Sequence, residues 1–91
     1  MFLVPTPGHC TGHLSVVVRD KDLTYFIAGD ASYNEDNIRN EKTDGVTFKP
    51  DEAMATVRAI KKFALNEPTI ILPCHDPKSI TRLAGSQIFK E

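Results

Sequence analysis

Apolar residues fall in short runs divided by turn-formers and charged stretches, and the runs have two different periods. Phe2, Leu3 and Val4 form a run that Pro5 stops, which reads as the end of a strand. Residues 5–12 hold two prolines and two glycines and read as a loop. Residues 14–18 are dense in β-branched side chains and read as a buried strand. The polar turn Asp20-Lys21-Asp22 leads into a returning strand over 25–28, so the pair predicts an antiparallel hairpin ending at Gly29-Asp30. Residues 31–40 are polar, with a helical turn around 35–38, and 39–49 read as a charged loop. From Pro50 the period changes. Proline suits a first helical turn, and Asp51 and Glu52 complement the positive helix end. Met54, Val57, Ile60 and Ala64 recur at helical spacing, with Arg58, Lys61 and Lys62 on the wet side. Asn66-Glu67-Pro68 stops this helix, a strand follows over 69–72 until Pro73, and a short helix over 79–83 precedes Gly85 and a polar tail.

Strand, hairpin, helix, strand is half of a layered sheet-and-helix arrangement. The helices it contains cover one face of a small sheet. A wet apolar face costs about 25 cal/mol per Å², so the other face is expected to pack on something else or on a second copy of the chain.

With 91 residues, a single domain with a modest core is expected. Hydrophobic content of 41% and charged content of 25% are ordinary for a globular chain. A net charge of -1 offers no basic patch, which argues against nucleic acid as a partner. No apolar run approaches a membrane span, and residues 1–5 lack the basic and apolar regions of a signal peptide. A cytoplasmic location is expected, with Cys10 and Cys74 as thiols rather than a disulfide.

The chemistry concentrates where strands meet loops. The chain has three histidines, and His9, His13 and His75 all lie at such junctions. His9 sits in a loop stiffened by Pro5 and Pro7, as a fixed metal ligand requires. His13 heads a strand and reads as a structural histidine bonded to backbone. Asp30, directly after a buried strand, is either a turn residue or a site residue. His75 follows the strand over 69–72, and strand ends are where sheets hold sites. Two imidazoles and a carboxylate suit zinc or a similar borderline ion. The two cysteines flank these histidines; they read either as small buried hydrophobes or as neighbours of a metal.

In order, Thr6-Pro7-Gly8-His9-x-x-Gly12-His13, then Gly29-Asp30 after the hairpin, then a strand ending in His75 resemble the C-terminal half of the metallo-β-lactamase superfamily. The run Gly29-Asp30-Ala31-Ser32-Tyr33, with Glu35, Asn37 and His75-Asp76, looks most like the N-acyl-homoserine lactonase branch. The resemblance implies an α/β fold that is half of an αββα sandwich: a small, mainly antiparallel sheet with helices on one face, in one partial domain over 1–91. It implies that His9 binds one zinc, Asp30 bridges two, and His75 binds the second. Tyr33 would hydrogen-bond the substrate carbonyl or its oxyanion, and Asp76 would orient His75 or its loop. The implied reaction is lactone ring opening by a metal-bound hydroxide.

Two departures stand out. The superfamily's His-x-His-x-Asp-His run is absent, and no histidine is left to build it. Cys10 stands where the family usually has threonine or serine. The chain is therefore expected to be an enzyme part, inactive without an N-terminal half. The alternatives are a truncated, non-catalytic protein that self-associates through its open sheet face, or a simple metal-binding module. Expected partners are a small lactone or ester once the site is completed, and a second copy or the missing half.

Overall fold

The computed structural model describes residues 1–8, 12–32, 34–43 and 50–90. His9, Cys10 and Tyr33 lie outside them. Four strands and three helices follow one another as β1 (Phe2–Pro5), β2 (Leu14–Asp20), β3 (Leu23–Gly29), α1 (Glu35–Arg39), α2 (Pro50–Asn66), β4 (Thr69–Pro73) and α3 (Ser79–Gly85). The expected elements are all present, with strands longer by one to three residues because pairing extends past the apolar centres.

The strands lie side by side in sequence order. β1–β2 and β2–β3 pair antiparallel, whereas β3–β4 pair parallel. A parallel pair needs a crossover, and the segment carrying α1 and α2 supplies it. This topology brings the loop after β1, the start of β2, and the ends of β3 and β4 to one end of the sheet.

Cross-strand partners share a face. The row Val17, Phe26 and Ile71 points to the helices and is buried, packing on Val57, Ile60 and Ala64 of α2 and Ile38 of α1. The edge ring of Phe63 meets Phe26 at 5.6 Å between centroids, tilted by 60°. The expected α2 stripe is shifted slightly: Met54 is half-buried, and the small Ala53 and Thr56 lie inside instead. The reason is the close approach of the loop before His9. Thr56 Oγ1 donates to the Pro7 carbonyl at 2.6 Å, and a Cβ on Gly8 would lie 2.3 Å from Ala53 Cα. With φ at +131° as well, Gly8 is the one residue that fits there.

The next row, Leu3, Val16, Ile27 and Leu72, crosses all four strands on the opposite face. Leu3 is 61% exposed and Ile27 43%, with Val16 and Leu72 half-buried. This is the open apolar face expected from the sequence. The tail departs from expectation. It is not wholly polar in its role, because Phe89 turns back into the core and its N–H donates to the Thr69 carbonyl at 2.7 Å. Among the described residues no helix is long and apolar enough to cross a membrane.

Candidate metal centre

The parallel strands β3 and β4 end next to each other, and each delivers one candidate ligand. Gly29 adopts φ +56°, a left-handed turn that lets the chain swing Asp30 outward at a register shift between Ile27 and Gly29. Across the gap, the Cys74 N–H donates to the Gly29 carbonyl at 2.8 Å, which fixes the start of the His75 loop beside Asp30. His75 Nε2 then lies 2.9 Å from Asp30 Oδ1. That oxygen is sealed from solvent and has no hydrogen-bond partner among the described residues, so the contact with His75 is close without being aligned as a hydrogen bond. Two donor atoms aimed at shared space, one of them buried and unsatisfied, fit a cation. Asp30 thus stands, beyond its place in the turn, where it could ligate a cation.

Cys74 completes the group. One donor atom from each of Asp30, Cys74 and His75 lies within 4.8 Å of the other two. Cys74 is exposed, which removes the reading of it as a buried hydrophobe.

His13 is held in one tautomer by a chain of partners. The Asp30 N–H donates to Nε2 at 3.2 Å, so Nε2 is the bare nitrogen and Nδ1 carries the proton. Nδ1 then donates to Thr6 Oγ1 at 2.9 Å. Thr6 passes its own proton to Ser15 Oγ at 2.8 Å, and Ser15 donates to the Ala28 carbonyl at 3.3 Å. Thr6, Ser15 and Ala28 are buried. His13 is therefore the structural, backbone-bonded histidine expected from the sequence, and it positions the Asp30 backbone. A Cβ on Gly29 would meet its Nε2 at 3.2 Å. Replacing His13 with alanine strands the Asp30 N–H and removes the donor to Thr6 Oγ1, which keeps its bond to Ser15. We expect a loss of about 1–3 kcal/mol in urea unfolding, and His13→Gln to recover part of it.

Asp76, next to His75, works on the loop. Its Oδ2 accepts from the Glu35 N–H at 3.0 Å and from Arg82 Nη2 at 2.9 Å, and its Oδ1 accepts from the Lys78 N–H at 2.9 Å. Burial pushes its carboxyl up, but the two backbone donors and the Arg82 guanidinium together hold it below the usual aspartate range. Arg82 was not legible as a key residue. It is buried, and its Nε and Nη2 also donate to the Ile71 carbonyl at 3.1 and 3.0 Å. Glu35 Oε2 lies 3.4 Å from Arg82 Nε. One guanidinium thus ties β4, α1, α3 and the His75 loop together. The sequence holds no signal for this, since Arg82 sits in a short helix of mixed residues with no periodic pattern to mark its buried side.

The profile of the metallo-beta-lactamase superfamily matches residues 2–75. An N-acyl homoserine lactonase of a Bacillus species is 30% identical over 90 residues, covering 98% of this chain and 34% of that protein. An N-acyl homoserine lactonase of Bacillus thuringiensis is 31% identical over 90 residues, with the same 98% and 34% coverage. The solved structure of an N-acyl homoserine lactone hydrolase with N-hexanoyl-L-homoserine at its catalytic metal center superposes with a TM-score of 0.72 at 29% identity, over 98% of this chain and 34% of that one. That of a quorum-quenching N-acyl homoserine lactone lactonase gives 0.73 at 28% identity, over 96% and 35%. The chain therefore spans about a third of the length of these relatives. Because the profile covers most of the sequence and the open sheet superposes on solved lactonases along nearly its whole length, the chain belongs to the metallo-beta-lactamase superfamily, whose members depend on bound metal.

Proposed function

We propose that the chain is the C-terminal portion of a zinc-dependent hydrolase that opens the lactone ring of N-acyl homoserine lactones, and that it requires a further layer to turn over. The observation that carries this reading is the convergence of Asp30 and His75 at 2.9 Å around an unsatisfied buried oxygen. His9, Asp30 and His75 would hold the metal, with Asp30 shared between two ions. Zinc bound there supplies Lewis-acid polarisation of the carbonyl and a water activated at neutral pH. The chain's own share is positioning. His13 holds the Asp30 backbone, and Asp76 and Arg82 hold the His75 loop; Tyr33 would hydrogen-bond the substrate carbonyl or its oxyanion. Ring opening of such signals is quorum quenching, and a cytoplasmic setting keeps Cys74 reduced.

The open row Leu3, Val16, Ile27 and Leu72 supports the missing layer. It equally favours a second reading, a non-catalytic chain that self-associates through this face. The test is hydrolysis of N-hexanoyl homoserine lactone, followed chromatographically, with light scattering on the same samples. We expect the zinc-loaded chain alone to stay at background. Supplying the N-terminal segment of a lactonase relative in trans is expected to give turnover that a chelator abolishes. A stable oligomer that neither binds zinc nor gains activity with that segment would establish the second reading instead.

A further inference from the structure

We propose that Cys74 is a third metal donor, so that Asp30, Cys74 and His75 by themselves hold one thiophilic divalent cation at the end of the parallel strand pair. The proposal rests on the reading of Asp30 and His75 as ligands and adds to it a thiolate. It also assigns the chain a metal site that needs no other segment.

The geometry is close to what such a cation demands. With bond lengths of about 2.0–2.3 Å, donors on a tetrahedral zinc stand roughly 3.3–3.7 Å apart. The three donor atoms here already lie within 4.8 Å of one another. Cys74 and His75 are both exposed, which gives their side chains room to rotate towards a shared ion. The backbone that carries them is rigid: Thr69, Ile70, Ile71 and Pro73 of β4 are buried, and the Cys74 N–H is pinned to the Gly29 carbonyl, one residue before Asp30. Asp30 Oδ1 is buried and accepts no aligned hydrogen bond although His75 Nε2 lies 2.9 Å away, which fits a positive group between them.

Cysteine is among the residue types most often buried. An exposed one beside a histidine and an unsatisfied carboxylate has no packing role to explain it. A donor set of one sulfur, one nitrogen and one oxygen leaves a fourth position open, as in catalytic zinc sites. The thiolate shifts preference towards zinc and cadmium and away from magnesium and manganese. Binding breaks the Cys74 S–H bond, forms a sulfur–metal bond, and releases that proton to solvent.

The test is cobalt titration of the reduced, metal-free 91-residue chain, read by absorption, with folding checked by circular dichroism. We expect a thiolate-to-cobalt charge-transfer band that saturates at equal stoichiometry. Cys74→Ser should abolish the band and weaken cobalt binding by more than about tenfold, whereas Cys10→Ser should keep both. Visible cobalt bands without charge transfer, or a band that survives Cys74→Ser, would overturn the role of Cys74 while leaving Asp30 and His75 as ligands. A folded chain that takes up no cobalt at all would overturn the self-sufficient site. The lactonase reading would then stand or fall on the trans-complementation assay alone.

Discussion

Replacing Arg82 with methionine is expected to unfold the chain or bring it to the edge of unfolding. Arg82 is buried and pairs with Asp76, whose side chain is 5% exposed, at 2.9 Å. Removing one partner of a buried pair leaves an uncompensated charge, at a cost of about 3–5 kcal/mol. A domain of this kind has only about 5–15 kcal/mol in total. The damage is not confined to the pair. The same guanidinium caps the Ile71 carbonyl and faces Glu35, so β4, α1 and the His75 loop lose their common anchor. Urea unfolding followed by circular dichroism measures the loss. Arg82→Lys should recover little, because one ammonium cannot reach the carbonyl and the carboxylate in the same fork. A variant within about 0.5 kcal/mol of the parent, the range of neutral surface substitutions, would show that the network is ornamental.

The same pair sets an acid limit. Asp76 has its carboxyl held low in the folded state, so its contribution is present above the unfolded aspartate value. It is lost as pH falls through the folded one. The metal-free chain should therefore lose stability below about pH 4, and Asp76→Asn should flatten that dependence.

Asp30→Asn is the second large effect, and it falls on metal rather than on fold. The substitution keeps the shape and leaves the backbone N–H that donates to His13. It removes the charge and one oxygen from the site. Metal affinity should drop by at least the roughly 10–100-fold lost with an outer partner. Stabilisation by ligand grows with occupancy, reaching about 2.7 kcal/mol at a hundredfold excess over Kd. Thermal melts of the parent should therefore rise with added zinc, and those of Asp30→Asn should not. Without metal, the variant should be as stable as the parent or slightly more so, since Oδ1 is buried and unsatisfied. An equal zinc-dependent rise in both proteins would remove Asp30 from the ligand set.

The two variants separate what holds the site from what the site holds. Arg82 and Asp76 keep the His75 loop in place, and their loss is read in unfolding. Asp30 and His75 are the proposed ligands, and their loss is to be read in metal affinity. His13 sits between these roles, bonded to the Asp30 backbone on one side and to the Thr6–Ser15 chain on the other.

The sequence alone determined the elements, because each is written in local periodicity. β-branched runs made β2, β3 and β4, and the helical spacing of Val57, Ile60 and Ala64 made α2. It also determined that a sheet this small has one face without helices, and it named His9, Asp30 and His75 as candidate ligands and His13 as structural, with His9 outside the described residues. Only the tertiary structure decided the rest. Parallel pairing of β3 with β4 brings Asp30 and His75, 45 positions apart in the sequence, to 2.9 Å. It also sets Cys74 beside them and makes Arg82 an anchor. Local patterns record what each segment prefers by itself. Which strand ends meet, and which side chain is left buried without a partner, depends on contacts between segments that no local pattern encodes.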